Sequence, residues 1–261
     1  VVDDASSDTT VEAAQASLES SGLKFQVSSL SQNSGPAASR NQGVSEAGGE
    51  WIAFLDADDV WLSGRLASQI ALMSRFPGAS MFCGKTIPIG ESPSAEGTEP
   101  GVLKLADFIE NNQVATSTVL IRKDVFLEVG GFDEQFRGPE DLDLWLRVAA
   151  DHRVIIDSEP IAGYRSVTGS LSMDERKFLP EVLRVLDKAF GEGGSLFRMQ
   201  ELRETAVSTQ LWNASWMAFC RGARFGAVGY WFRAYLQNRQ AANPIKRQWF
   251  RLLARYLVGQ P

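Results

Sequence analysis

Short apolar segments alternate with helix-like stretches through residues 1–160. Runs rich in β-branched and aromatic residues predict strands at 1–2, 25–30, 51–55, 80–83, 116–121 and 154–156. Capping and breaker residues predict helices at 7–20, 36–47, 63–75 and from 139 onward, the first of them capped by Ser6 or Ser7. Strand–helix alternation of this kind predicts an α/β domain with a mostly parallel sheet flanked by helices.

The pattern changes in the second half of the chain. From Asp174 onward it is helical almost throughout, with predicted breaks at 191–194, 222–226 and 243–244. We therefore expect a catalytic domain at 1–172 and a C-terminal helical appendage at 173–261. Residues 88–101 are rich in Pro, Gly and Ser, which predicts an exposed loop.

The composition leaves carboxylates as the candidate catalytic and metal-binding groups. The two cysteines, Cys83 and Cys220, lie far apart among apolar neighbours, so we expect core residues in a reducing compartment and no disulfide framework. With His152 as the single histidine, a His-His metal pair is excluded. Neither a signal peptide nor an apolar run of about 18 residues is visible, and this predicts a cytoplasmic location.

Charge is divided unevenly along the chain. Residues 205–261 contain eight Lys/Arg and no Asp/Glu, whereas residues 1–204 carry a net charge of −14. In this segment basic residues are interleaved with aromatic ones. Such a segment suits peripheral contact with the inner face of an anionic membrane. The alternative is that it packs against the acidic domain. A nucleic-acid partner is not expected, because the acidic domain would repel a phosphate backbone.

The clearest candidate site follows the apolar strand at 51–55, which leads into Asp56, Asp58 and Asp59. Ligands of open α/β sheets bind beyond the carboxyl ends of strands. Two carboxylates in this position can share a divalent cation that also binds substrate phosphate. The alternative is a structural turn in which Asp58 or Asp59 caps a helix beginning near Trp61.

Other charged residues occupy similar positions. Asp3 and Asp4 follow the first predicted strand, and Arg40 lies in the first turns of a helix, where a guanidinium suits phosphate. Pro139 fits a helix start that places Glu140 and Asp141 in the first turn, near free backbone amides. An ionised carboxylate there could accept a proton from a hydroxyl, or could merely complement the helix dipole.

Together these segments resemble the family 2 glycosyltransferases of the GT-A (Rossmann-like) fold over residues 1–172. The matching pieces, in order, are VVDDASSD, NSGPAASRNQG, GEWIAFLDADDVW with its DxD motif, GGFDE, EDLDLWLR and GYRSVTGSLS. The family ordinarily has a further strand before the first of these, so the resemblance implies a domain without its usual first strand. Many members also carry a histidine after the Tyr-Arg pair, where this chain has Ser166-Val167-Thr168.

The resemblance implies how a nucleotide-diphosphate sugar would be bound. Asp4, together with Asp3, would contact the nucleobase, and Arg40 would reach the ribose or the diphosphate. Asp56 would lie near the ribose and the metal-bound waters, while Arg165 would lie near the donor diphosphate. All five are therefore expected at the donor site.

The catalytic roles are implied in the same way. Asp58 would be the direct ligand of Mn²⁺ or Mg²⁺, and Asp141 would be the general base, with its neighbour Glu140 as a substitute. The reaction would be a single in-line displacement that inverts the anomeric carbon, in cell-surface polysaccharide or glycolipid synthesis. The acceptor would be a hydroxyl group, in many such enzymes on a lipid-linked molecule.

Two alternatives remain from the sequence. Residues 56–60 also fit the DxDx[TV] signature of haloacid-dehalogenase-like phosphohydrolases, in which Asp56 would be a nucleophile. Against this, two strand–helix units precede the motif here. The non-enzymatic alternative is a nucleotide-binding domain that does not turn over.

Overall fold

The computed structural model describes residues 1–92, 99–110, 112–165 and 173–237. By internal contacts these residues form two compact units. The first contains the described residues of 1–104 and 113–166, and the second contains those of 105–112 and 167–261. The short segment 105–112 thus belongs with the helical part of the chain, which the sequence pattern gave no reason to expect.

The first unit is an α/β structure. Its described helices are α1 (Thr10–Glu19), α2 (Pro36–Glu46), α3 (Arg65–Arg75), α5 (Lys123–Glu128) and α6 (Glu140–Asp151), with α4 (Leu105–Glu110) assigned to the second unit. Its described strands are β1 (Val2–Asp3), β2 (Ser28–Ser29), β3 (Trp51–Ala53), β4 (Val60–Trp61), β5 (Met81–Pro88), β6 (Gly101–Leu103), β7 (Leu120–Arg122) and β8 (Val154–Tyr164).

These strands form two sheets. β1 and β2 pair in parallel, and the larger sheet has the order β3-β7-β5-β8-β4, with β6 also paired to β8. In the larger sheet β5 and β8 are parallel, whereas the other described pairs are antiparallel. The α/β class is confirmed, but the expectation of a mostly parallel sheet is wrong. β3, β5 and β8 run in one direction, and β7, β4 and β6 return against them.

Several predicted boundaries are also corrected. Residues 116–118 form a 3-10 turn, so the strand predicted at 116–121 is reduced to β7. β8 has eleven residues because it continues through Pro160, and of the strand predicted at 25–30 only β2 forms. α1 has Thr9 at its N-cap and no side-chain cap, so the predicted serine cap is wrong. α2, α3 and α6 lie close to their predicted positions.

Two sets of apolar contacts hold the first unit together. One joins α3 to the sheet through Leu72, Phe82, Leu120 and Ile155, all buried. The other is a series of aromatic rings that runs from the end of β3 to α6. In it Phe132 lies 5.5 Å from Phe54 and 6.0 Å from Trp145, in edge-on geometry between ring centroids. This series packs α6 against the end of β3, where the candidate site lies.

The second unit is helical, as predicted from Asp174 onward. Its long helices are α7 (Glu175–Phe190), α8 (Arg203–Cys220) and α9 (Arg224–Gln237). The predicted breaks near 191 and 222 are confirmed, and the break predicted at 243–244 lies outside the described residues. Trp212 is buried at the centre of their contacts, where its ring meets Trp231 edge-on at 5.9 Å.

Side chains connect the helices of this unit as well. Asp174 caps α7 by accepting a hydrogen bond from the Arg176 amide, and Arg221 pairs with buried Glu175. Gln210 donates a hydrogen bond to the Ile109 carbonyl of α4 at 3.3 Å.

Two further findings concern the cysteines and membrane-spanning helices. Cys83 is buried as expected, whereas Cys220 is exposed at the end of its helix, so the core assignment of Cys220 is wrong. In the part of the chain that the structure describes, no helix has both the length and the apolar character needed to cross a bilayer.

Candidate active site

Arg40 connects the end of β3 to the start of α6. Its Nε and Nη2 donate to one carboxylate oxygen of Asp56 at 3.1 and 2.7 Å, and its Nη1 donates to Glu140 at 2.9 Å. The side chains of Arg40 and Glu140 are 16% and 6% exposed, against 32% for Asp56. Three residues predicted from separate motifs are therefore joined in one hydrogen-bonded group.

The electrostatics of this group keep the guanidinium charged. Burial by itself lowers the pKa of Arg40, but the charges and hydrogen bonds of Asp56 and Glu140 outweigh it and raise the pKa above its usual value. The guanidinium also lies 5.3 Å from the centroid of the Phe132 ring, in cation–π range. The sheet edge thus holds one fixed cation between two carboxylates.

Glu140 and Asp141 begin α6 but have different environments. Glu140 accepts the Gly138 amide at 2.7 Å in addition to its bond from Arg40. Asp141 is half-buried, and its carboxylate accepts the amide of Leu142 at 2.6 Å. The hydrogen bonds of Glu140 fix the start of α6, whereas Asp141 is the more solvent-exposed of the two residues.

A glycine turn before α6 packs closely against α2. Gly131 has φ of +66°, and a Cβ there would lie 2.9 Å from Asn41 Oδ1. Asn41 accepts the Phe132 amide at 3.0 Å and donates to the Phe132 carbonyl at 2.9 Å. Arg147, paired with Asp143 one turn earlier, donates to the Gly131 carbonyl at 2.7 Å. Only glycine allows both the left-handed backbone and the close approach.

Asp58 and Asp59 lie beyond the end of β3, beside the end of β8. Asp59 accepts the Arg165 amide at 3.1 Å, and Arg165 Nε donates to the Asp58 carbonyl oxygen at 3.0 Å. The nearby carboxylates, after burial itself, raise the pKa of Tyr164. α3 begins only at Arg65, after Gly64, and no side chain caps it. The helix-cap alternative for these acids is therefore wrong.

The two acids at the end of β1, Asp3 and Asp4, accept hydrogen bonds from backbone amides. Asp4 accepts the amides of Ser34 and Gly35 at 2.7 and 2.8 Å, in the turn that leads into α2. Asp3 accepts the Ser6 amide at 3.1 Å, and hydrogen bonds, chiefly from the Ser6 side chain, lower the pKa of Asp3. Asp4 therefore fixes the turn that leads to Arg40, and Asp3 fixes the loop that follows β1.

A group of buried polar residues behind β3 was not anticipated. Ser117 Oγ accepts the Asp56 amide at 3.0 Å, and Trp61 Nε1 donates to the Ser117 carbonyl at 3.1 Å. Arg65, which is 2% exposed, donates to the carbonyls of Phe54 and Val119 at 3.4 and 3.0 Å and lies over the Trp61 ring at 4.1 Å. Burial lowers the pKa of Arg65 to about 10.

This group fixes the backbone from which Asp56 extends. One signal in the sequence could have indicated it: Arg65 and Gln69 are polar residues four apart on the face of α3 that must face the sheet.

The acids present suit a metal ion only in part. Among the described residues no group of three or more His, Cys, Asp or Glu side chains is arranged to hold an ion. Asp58 is exposed, and its carboxylate accepts no hydrogen bond from the described residues. A cation that takes most of its ligands from water and substrate phosphate fits one such carboxylate.

A cleft of about 640 Å³ opens beside the site, between α2 and β3. Arg40, Asp56 and Asp59 are among its lining residues, and the other lining residues come from 1–2, from α2 and the residue that follows it, and from 51–57.

Two sequence-family models match parts of the chain. The sequence model described as Glycosyl transferase family 2 matches residues 1–122, and that described as Glycosyltransferase like family 2 matches residues 100–193.

Among curated relatives, a glycosyltransferase assigned to teichuronic acid biosynthesis in Bacillus subtilis, TuaG, is 29% identical over 68% of this chain and 70% of its own length. The amylovoran biosynthesis glycosyltransferase AmsB of Erwinia amylovora is 28% identical over 64% of this chain and 60% of its own length. The Escherichia coli UDP-Glc:alpha-D-GlcNAc-diphosphoundecaprenol beta-1,3-glucosyltransferase WfgD is 28% identical over 59% of this chain and 58% of its own length. The chain therefore spans less than two thirds of two of these relatives.

Solved structures show the same fold at low identity. S. aureus TarS in complex with UDP aligns with a TM-score of 0.55 and 17% identity, over 94% of this chain and 82% of that chain. The mannosyltransferase PcManGT from Pyrobaculum calidifontis, in complex with GDP-Man and Mn²⁺, aligns with a TM-score of 0.58 and 15% identity, over 93% of this chain and 78% of that chain. The chain belongs to the family 2 glycosyltransferases and has the GT-A fold.

Proposed function

We propose that this protein transfers a sugar from a nucleotide-diphosphate donor to a hydroxyl acceptor, with inversion, in the synthesis of a cell-surface polysaccharide. The observation that carries the proposal is the Arg40 bridge, which joins the acidic end of β3 to the acidic first turn of α6. A donor site and a base must lie on either side of the anomeric carbon, and this bridge holds Asp56 at the donor side and, through Glu140, the helix start that carries Asp141. Relatives named for teichuronic acid and amylovoran biosynthesis support the pathway class.

The donor diphosphate would be bound by cations at the sheet edge. Arg40 directs three of its five N–H groups to carboxylates, which leaves two for a phosphate or ribose oxygen. Arg165 is exposed and already fixed by Asp58 and Asp59, so its remaining N–H groups suit the same ligand. Asp3 ends β1 and Asp4 follows it, and the nucleobase is proposed on this side of the cleft, which Val1 and Val2 line.

Asp58 would hold a divalent cation together with the diphosphate. When bound, Mn²⁺ or Mg²⁺ would neutralise charge on the departing nucleoside diphosphate. Support comes from the exposed Asp58 carboxylate and from PcManGT, whose structure contains Mn²⁺ with GDP-Man. Asp56, held by Arg40 and by Ser117, would orient the donor ribose.

Asp141 would be the general base. It takes the proton from the acceptor hydroxyl as that oxygen bonds to the anomeric carbon, and the bond to the diphosphate oxygen breaks with its electron pair. Glu140 is a positioning residue in this scheme, because its carboxylate is occupied by Arg40 and Gly138. One oxygen of Asp56 accepts two hydrogen bonds from Arg40 and is in this way held from acting as a phosphohydrolase nucleophile.

The acceptor would be a hydroxyl of a sugar linked through diphosphate to a polyprenyl lipid, at the cytoplasmic face of the membrane. The name of WfgD describes such an acceptor for that relative.

Nucleoside diphosphate release tests the proposal. The full chain is incubated with UDP-Glc, UDP-GlcNAc or GDP-Man, with Mn²⁺ and a polyprenyl diphosphate-linked sugar, and the anomeric configuration of the product is read by NMR. We expect acceptor-dependent release with one donor and an inverted product. Binding of a nucleotide without release for any donor and acceptor pair would instead support a non-catalytic nucleotide-binding domain, and retention would contradict the single displacement.

A further inference from the structure

One face of α9 carries a row of exposed apolar side chains. Each of its members is at least two-fifths exposed, and Phe225 is 96% exposed. The members are Phe225, Val228, Phe232, Tyr235 and Leu236. Their spacing places them on one side of the helix, within roughly a third of its circumference. We call these five residues the α9 apolar face.

The opposite side of α9 is the one that packs within the second unit. Ala227 and Ala234 are buried there, and their carbonyls accept hydrogen bonds from Ser215 and Ser208 of α8 at 2.6 and 3.1 Å. The α9 apolar face therefore does not serve to join α9 to α8. Singly exposed apolar residues are ordinary on protein surfaces, but five in one row indicate a contact surface.

Charge around this face points to the partner. Arg224 and Arg233 are exposed and lie on either flank of the row. Among the described residues 205–237 no Asp or Glu occurs, and the charged residues are Arg221, Arg224 and Arg233. An apolar row with arginines on both sides is the arrangement of helices that lie in the interface of an anionic bilayer, where the arginine side chains extend towards the headgroups.

A second copy of the chain fits this surface less well. Two α9 apolar faces brought together would place arginines of one copy near those of the other, and like charges at an interface oppose association. We infer that the α9 apolar face binds the surface of an anionic lipid bilayer, with its aromatic side chains at the level of the headgroups. This inference goes beyond the proposed sugar transfer and can be tested without it.

Vesicle co-sedimentation tests the inference on the full chain. Vesicles of equal parts phosphatidylglycerol and phosphatidylcholine are compared with pure phosphatidylcholine, at low and high salt. We expect the protein to pellet with the anionic vesicles at low salt and to be partly released at high salt. Recovery of the protein in the supernatant at low salt would overturn the inference.

Substitutions test whether the α9 apolar face is the part of the chain that binds lipid. Phe225→Ser combined with Phe232→Ser should lower the lipid partition coefficient at least about tenfold, because two aromatic side chains no longer enter the interface. Arg233→Gln should lower it about fivefold at low salt and little at high salt. Phe197→Ser, at a side chain 49% exposed outside α9, is the matched control and should bind as the unchanged protein does.

Two results would reject the assignment to this helix. Undiminished vesicle binding by the double phenylalanine variant would move the contact elsewhere in the chain. A mass by light scattering that rises with protein concentration, and falls to the monomer value in the double variant, would make the face a contact between copies. Far-ultraviolet circular dichroism of each variant checks that the helices are retained.

Discussion

Arg40 and Asp56 are joined by two hydrogen bonds to a single carboxylate oxygen, at 3.1 Å from Nε and 2.7 Å from Nη2. A third bond connects Arg40 to Glu140, 100 positions further along the chain, so Asp56 and Glu140 share one largely buried cation. Buried charges are stable only when they are paired and hydrogen-bonded. The end of β3 and the start of α6 therefore depend on this guanidinium for their relative position.

Replacing Arg40 should destabilise the first unit. Arg40→Met leaves Glu140 buried without its cation, and we expect the free energy of unfolding to fall by roughly 2–4 kcal/mol. Urea unfolding followed by tryptophan fluorescence measures the change. Adding Glu140→Gln to Arg40→Met should recover part of the loss, since the unpaired charge is then removed.

Arg75→Met provides the control for this prediction. Arg75 pairs with Glu99 at 2.9 Å, but both side chains are more than half exposed, so its loss should change stability by less than about 1 kcal/mol. An Arg40→Met variant as stable as this control would show that the bridge does not hold the site together.

Adding a side chain at Gly131 should lower the free energy of unfolding more than adding one at Gly130. Gly131→Ala and Gly130→Ala both place alanine at positive φ, but only at Gly131 would the new Cβ meet Asn41 and Phe126, at 2.9 and 3.0 Å. We expect Gly131→Ala to cost about 1–3 kcal/mol more than Gly130→Ala. Equal losses in urea unfolding would mean that Asn41 moves aside without cost.

The sequence predicted those parts of the site that depend on local pattern. A strand followed by acids, Pro139 before an acidic first turn, and Arg40 in α2 each follow from short-range rules, and the structure brings these elements together. What joins them is not local. The contacts of Asn41 with Phe132 and of Arg65 with Val119 span 91 and 54 residues, and no periodicity in the sequence encodes them.

The directions of strands in the larger sheet were also predicted wrongly, because local sequence pattern does not determine them. Strand–helix alternation predicts parallel pairing only where each helix returns the chain to the same end of the sheet. β7 follows a 3-10 turn instead of a helix and runs back between β3 and β5. The length of β8 was underestimated because Pro160 and Gly163 resemble breakers, although β8 pairs with β5 and β4 along that stretch.

Acid should weaken the start of α7 through Asp174. Hydrogen bonds and charge from Arg176 lower the pKa of Asp174 in the folded protein. Its contribution to stability is therefore present above the unfolded pKa of about 3.9 and is lost as pH falls through the lower folded value. Asp174→Asn keeps an oxygen for the cap but removes this dependence, so the two proteins should differ in unfolding free energy at neutral pH and converge in acid.

Glu192→Gln is the control for Asp174, because Glu192 is exposed in the turn after α7. A constant difference between Asp174→Asn and the unchanged protein from neutral pH down to strong acid would show that the ion pair with Arg176 contributes nothing.

The central claim assigns different roles to two carboxylates, and one comparison tests it most directly. Asp58 is exposed beyond β3, and Asp141 is half-buried in the first turn of α6. For Asp58→Asn and Asp141→Asn, calorimetry gives the dissociation constant of the active nucleotide sugar with and without Mn²⁺. The rate of nucleoside diphosphate release is measured for the same two variants. We predict that Asp58→Asn loses the Mn²⁺-dependent part of donor binding, whereas Asp141→Asn binds the donor within about threefold of the unchanged protein and loses at least about a hundredfold in turnover. Equal loss of donor affinity in both variants would contradict the account.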